Sequence, residues 1–184
     1  MSNKIIIISG LTCAGKTTLA KQLNNTLNIT KTITCTTRVP REGEIDGVDY
    51  RFSNTIEFNR LICEGEILEY TEINNDGRVD SYGTLKSEIL KDGIKLLILD
   101  LYGLVTFKKL FPDETLTLFI HTSTEERRRR AIEGRNWSEY AWEERCKSDS
   151  NVPENVSNYI DNVIDGDTDF YEYTLKLIKE FIQE

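Results

Sequence analysis

Residues Gly10 to Thr17 read GLTCAGKT and match the pattern GxxxxGK[ST]. Each fixed position has a chemical reason. Gly10 and Gly15 allow backbone angles that a side chain forbids, so successive N–H groups can turn inward around a phosphate. A helix opening at the end of the loop adds about half a positive charge. Lys16 brings an ammonium to the β- and γ-phosphates of a nucleotide, and the Thr17 hydroxyl can ligate Mg²⁺. At average glycine usage, such a match arises by chance in on the order of 1% of chains this size. The candidate ATP contacts are therefore Gly10, Leu11, Thr12, Cys13, Ala14, Gly15, Lys16, Thr17 and Thr18. Asp100 closes an apolar run, and an acid in that position is the usual partner of the loop hydroxyl at Mg²⁺. Thr17 and Asp100 are the candidate metal ligands. Asp100 to Gly103 (DLYG) also fits the DxxG of GTPases, but no NKxD follows.

A phosphate loop needs a strand before it and a helix after it. Lys4 to Ser9 (KIIIIS), Lys95 to Leu101 (KLLILDL) and Leu116 to His121 (LTLFIH) are apolar without alternation. Such runs fit parallel strands covered on both faces. Leu19, Leu23 and Leu27 recur at i, i+4, i+8 after Gly15, which predicts an amphipathic helix. Tyr171, Leu175, Ile178 and Ile182 predict a closing helix over 169–184. Strand alternating with helix argues for an α/β fold with a mostly parallel sheet. Residues 32–85 break the rhythm with short β-like pieces (TITCTT, DYRFS, EILEYTEI), a helix-like TIEFNRLICEG and polar turns such as EGEIDG and NNDG. Residues 123–155 are densely charged. Successive helix positions differ by about 100°, so Arg127 to Arg130 point in four directions and at most two of them reach a common ligand.

Composition narrows the partners. The chain has 184 residues and a net charge of −8. Such an anion does not bind nucleic acid by bulk charge. The longest aliphatic runs, Ile5 to Ile8 and Leu96 to Leu99, are far shorter than the roughly 18 residues of a membrane span. No CxxC pair occurs among the four cysteines, His121 is the only histidine, and no secretion signal is visible. A structural zinc site is thus disfavoured, the thiols are expected to be reduced, and His121 reads as a strand-end residue. The expected compartment is the cytoplasm.

The most specific segment is Thr36 to Phe52, TTRVPREGEIDGVDYRF. It resembles guanylate kinase, which carries TTR-x-PR-x-GE-x-x-G-x-DY-x-F after its first helix. The resemblance continues through Gly65 to Tyr70 (GEILEY), Tyr82 to Thr84 (YGT), LLILDLYG and a later arginine-rich lid. It implies an α/β fold: a three-layer P-loop NTPase-like core with a mostly parallel sheet, a small mixed α+β GMP-binding insert and a helical lid. The corresponding boundaries are 1–33, 92–122 and 156–184 for the core, 34–91 for the insert and 123–155 for the lid. It implies transfer of the ATP γ-phosphoryl to GMP or dGMP with Mg²⁺.

Arg38 and Arg41 offer planar forks suited to a phosphate dianion. By resemblance, Tyr50 and Tyr82 donate to the same phosphate. Glu69 matches the carboxylate that reads guanine N1–H and N2–H₂, and Thr34, Thr84 and Asp100 match positions around the base. Lys16 and Arg41, with Arg135 and Arg145 of the lid, are the implied catalytic cations. The chain departs from the family pattern at several positions. Leu11-Thr12-Cys13 stands for Pro-Ser-Gly, and Ala131 stands where a second lid arginine is expected, with Arg130 beside it. Asn74 to Ser81 is long, and Asp165-Gly166-Asp167 replaces an Asn-Asp pair. Two alternatives stay open: a P-loop kinase for another nucleotide acceptor, against which Glu69 speaks, and a non-catalytic guanylate-kinase-like binding module, against which the intact Gly10–Thr17 speaks. The sequence does not specify an oligomeric state.

Overall fold

The computed structural model describes residues 4–29, 31–75 and 77–183. Asp76 of the NNDG turn, Glu184 of the closing helix, and residues 1–3 and 30 of the expected core lie outside the described residues. In chain order the elements are β1 (Ile5–Gly10), α1 (Lys16–Leu27), β2 (Cys35–Thr36), β3 (Arg51–Phe52), α2 (Thr55–Cys63), β4 (Ile67–Asn75), β5 (Arg78–Leu85), α3 (Lys86–Ile89), β6 (Lys95–Ile98) and α4 (Leu101–Leu110). They continue with β7 (Thr115–His121), α5 (Thr124–Arg135), α6 (Glu139–Asp149), a 3₁₀ turn (Val156–Tyr159), β8 (Asn162–Asp165) and α7 (Tyr171–Gln183). The chain divides into two compact units. One is Thr32–Gly93; the other is the chain on either side, up to Lys31 and from Ile94.

The larger unit is built on a parallel sheet in the order β6-β1-β7-β8. Side chains alternate faces along a strand, and Ile5 to Ile8 are all at most 1% exposed. Ile6 and Ile8 join Leu19 and Leu23 of α1 and Leu175 and Ile178 of α7 in one cluster. Ile5 and Ile7 point the other way, where α4 lies against β1 and β7. Burial on both faces is why the run shows no alternation. Each such isoleucine contributes roughly 1.5–3 kcal/mol.

The sheet corrects two expectations. The strand expected over Lys95 to Leu101 stops at Ile98. Asp100 is the N-cap of α4, its Oδ1 accepting the Gly103 N–H at 2.8 Å. A capping carboxylate turns the chain from extended to helical within two residues. The sheet also has a fourth strand, β8, in a stretch that carries no apolar run. His121 ends β7 and is exposed, as expected.

The smaller unit has a mixed sheet in the order β3-β2-β5-β4. Helix α2 starts at Asn54, whose side chain accepts the Glu57 N–H at 2.9 Å. Its Phe58 and Leu61 cover one sheet face and pack with Cys35 and Leu85. Gly83 sits beneath them, because a Cβ there would come within 3.0 Å of both Phe58 and Ile67. The opposite parity of the same strands faces away from α2.

Candidate active site

The phosphate loop joins β1 to α1 as the motif requires. Gly10 pairs with Ile120 across the sheet at a φ of 151°, and a Cβ there would lie 2.7 Å from the Ile120 carbonyl oxygen. Gly15 is the left-handed N-cap of α1, with a φ of 108°. Cys13 also adopts a left-handed φ, 63°, which ordinarily favours glycine. Its side chain is buried with Ala131 and Trp142, which gives the strained residue apolar partners on α5 and α6.

Lys16 folds back on the loop. Its Nζ donates to the carbonyls of Gly10 (2.7 Å) and Leu11 (2.9 Å). Burial pushes its ammonium down to about 8; Asp149 opposes this, and Arg135 and Arg145 add to it. Arg135 and Arg145, which the resemblance implies as lid arginines, both lower the Lys16 ammonium. The Arg135 guanidinium lies 5.6 Å from the Trp137 ring, and Arg145 is half-buried on α6. Thr17 and Thr18 are exposed on the first turn of α1. The Thr17 hydroxyl and the remaining Asp100 oxygen are hard donors that suit a metal arriving with phosphate and water ligands. Among the described residues no group of three or more His, Cys, Asp or Glu is placed to hold a metal by itself.

The arginine run divides as its helical spacing demands. Arg128 and Arg129 are about half exposed, in ion pairs with Glu139 and Glu126. Arg127 and Arg130 turn to the loop. Arg127 is only 5% exposed and donates to the Thr12 carbonyl at 3.2 Å. Arg130 donates to the Ala14 carbonyl at 3.2 Å and to that of Gly166 at 2.9 Å. Ala131, where the family pattern has arginine, is fully buried. Gly166 is also confined: a Cβ there would collide with Thr122 Oγ1.

The acceptor candidates Thr34, Arg38, Arg41, Tyr50, Glu69, Tyr82 and Thr84 all belong to the smaller unit, whereas Asp100 belongs to the larger. Strand register gathers several of them. Glu69 pairs with Thr84, and Tyr82 pairs with both Thr71 and Thr36. Residues 82 and 84 share parity, so Tyr82, Thr84 and Glu69 share the sheet face turned away from α2. A β-bulge between Ile67 and Glu69 re-aims the carboxylate. Thr84 Oγ1 donates to Glu69 Oε1 at 2.5 Å, which fixes one oxygen and orients the other. Thr34 precedes β2, and its carbonyl accepts the Arg51 N–H at 2.9 Å.

The phosphate candidates sit at the edge of that face. The Arg38 guanidinium lies 5.4 Å from the Tyr50 ring, and Tyr50 meets Tyr82 edge-on at 6.1 Å. Burial pushes the Tyr50 phenol up, helped by Tyr82, so it keeps its proton. Arg38 is 8% exposed and Arg41 is exposed. Glu44 ties them together. Its Oε1 accepts from Arg38 Nη2 at 2.8 Å, and its Oε2 accepts the Arg41 N–H at 2.7 Å. The Arg38 hydrogen bond, with the Arg41 N–H, holds the Glu44 carboxyl below its usual range against its own burial.

Glu44, Arg127 and Asp149 are the structural additions to the expected set. Glu44 belongs to the quoted motif, and its spacing of six from Arg38 was the available signal. Asp149 carried no local signal: its carboxylate receives the Thr12 N–H (2.8 Å) and hydroxyl (2.9 Å) across 137 positions of sequence.

Comparison with known proteins gives a consistent result. A family model described as guanylate kinase matches residues 2–184. A guanylate kinase of Fusobacterium nucleatum subsp. nucleatum is 38% identical over 165 residues, covering 87% of this chain and 86% of that protein. One from Caldanaerobacter subterraneus subsp. tengcongensis is 34% identical over 170 residues, covering 90% of this chain and 81% of that protein. The crystal structure of guanylate kinase from Anaplasma phagocytophilum matches with a TM-score of 0.70 and 27% identity, over 98% of this chain and 85% of that one.

Proposed function

The chain belongs to the guanylate kinase family and phosphorylates GMP, and we propose that its donor is ATP, carried with Mg²⁺, and that dGMP is a second acceptor. The observation that supports guanine as the base is Glu69, re-aimed by a bulge and held through one oxygen by Thr84. Guanine presents N1–H and N2–H₂ side by side, and one carboxylate accepts from both. Adenine offers no such pair, so it would leave the carboxylate unmatched, which is costly in a partly buried site.

Each residue then has a task. Arg38, Arg41, Tyr50 and Tyr82 bind and orient the GMP phosphate, while Thr34 and Thr84 line the base; the resemblance also assigns Asp100 to the base. The loop N–H groups and Lys16 hold the donor's phosphates. When bound, Mg²⁺ neutralises charge on the donor phosphates, with Thr17 and Asp100 as its protein ligands. A GMP phosphate oxygen attacks the γ-phosphorus in line, the new P–O bond forms, and the bond to the β-phosphate oxygen breaks, leaving ADP. Arg135 and Arg145 stabilise charge spread over the transferring group. The lid reading of 123–155 rests on these two arginines acting on Lys16. Four free cysteines fit a reducing cytoplasm.

Lys16→Ala and Arg41→Ala test the reading. Each should remove nearly all GMP-dependent ADP formation while leaving the folded far-UV circular dichroism spectrum. Retained turnover in both would show that these residues do not form the site.

A further inference from the structure

The phosphate loop is already engaged by an anion of the chain itself. Asp149, the last residue of α6, takes both the backbone N–H and the hydroxyl of Thr12 with its two carboxylate oxygens. This is the two-point acceptance that phosphate oxygens offer to loop donors. Arg127 Nη1 donates to Asp149 Oδ2 at 3.2 Å and to the Thr12 carbonyl at 3.2 Å, and its guanidinium lies 5.4 Å from the Trp142 ring. The loop, the buried arginine, the tryptophan and the end of α6 thus form one clasp. We propose that Asp149 is an internal competitor of the donor nucleotide: its carboxylate holds Thr12 donors that an incoming triphosphate takes, so loading exchanges one anion for the other.

The inference rests on the phosphate-loop reading above. Two features extend it. Asp149 is the strongest opposite charge acting on Lys16, so its departure and the arrival of a phosphate exchange one anionic influence on the lysine for another. Arg145 lies four residues earlier on the same helix, about one turn. Exchange at the Asp149 end of α6 therefore acts one turn from Arg145. Asp149 is a positioning residue that tunes donor affinity, and it does not touch the reacting atoms.

Asp149→Asn keeps the size and one acceptor oxygen but removes the charge. The expected result by titration calorimetry is three- to tenfold tighter binding of both ATP and inorganic tripolyphosphate, with the KM for GMP unchanged. A merely structural carboxylate gives the reverse, because Thr12 loses a charge-assisted acceptor and Arg127 loses its counter-charge. Unchanged or weaker binding overturns the proposal. A second measurement keeps Asp149, Arg127, Thr12 and Trp142 unchanged. Trp137→Phe leaves Trp142 as the single tryptophan, and tripolyphosphate should shift its emission with the same midpoint as the heat of binding. Heat without an emission change overturns the proposal alone. Absence of any binding of ATP and tripolyphosphate to the unmodified chain overturns the phosphate-loop reading and this inference with it.

Discussion

Lys16 shows how one residue couples fold and function. Its ammonium is stabilised by two loop carbonyls and by Asp149 yet destabilised by burial, and the balance leaves it at about 8 against an ordinary value of 10.5. The sign of the consequence is fixed. An anion binds the protonated form, so the lysine's contribution to donor binding is present below pH 8 and is lost as pH rises through it. The KM for ATP should therefore climb several-fold between about pH 7 and about pH 9. Steady-state kinetics at saturating GMP would read this directly, and a flat profile would contradict it. Folding responds in the opposite direction. The unfolded chain holds this proton up to 10.5, so the stability deficit of the buried lysine is relieved between pH 8 and 10.5. Residue-scale chemistry was legible where it was local. GLTCAGKT and TTRVPREGEIDGVDYRF fix their own geometry over a few positions. Thr12 and Asp149 were not legible as a pair, because only the fold brings them together.

Elements decide how far those residues can move. The loop from Arg38 to Tyr50 has only turns and an isolated bridge between Asp46 and Tyr50, so much of its precision comes from side chains acting as struts. Glu44 is the central one, joining the Arg38 guanidinium to the Arg41 backbone. Glu44→Gln removes the charge from both hydrogen bonds. It should raise the KM for GMP by roughly tenfold, the scale of one charge-assisted bond. The turnover number should stay within about twofold, since a positioning residue acts on binding. An equal fall in kcat at unchanged KM would instead place Glu44 in the transition state.

Secondary structure was legible where burial made a pattern. Ile5 to Ile8 are covered on both faces, and the α7 stripe of Leu175 and Ile178 is buried as spaced. Strand β8 escaped because only Ile164 of its four residues is buried, so NVID shows neither an apolar run nor a clear alternation. Helix α4 was merged with β6 because Leu99 and Leu101 are apolar on both sides of Asp100. The capping bond that separates strand from helix there is a three-dimensional fact.

At the scale of the molecule, an anionic chain handles anionic substrates. A net charge of −8 repels nucleotides at a distance, so binding depends on cations held locally by the fold. The chain divides into two compact units: one carries the Gly10–Thr17 loop with Arg127 and Arg130, the other the sheet face with Glu69 proposed to take the acceptor. The family match spans both. No helix among the described residues is long and apolar enough to cross a membrane. The most direct measurement is ADP release from ATP and Mg²⁺ with GMP, dGMP, AMP, CMP and UMP supplied in turn, for the unmodified chain and for Glu69→Gln. Turnover confined to GMP and dGMP, and lost by at least about a hundredfold in the variant, is the predicted result. Comparable turnover with AMP, or guanine preference that survives Glu69→Gln, would contradict it.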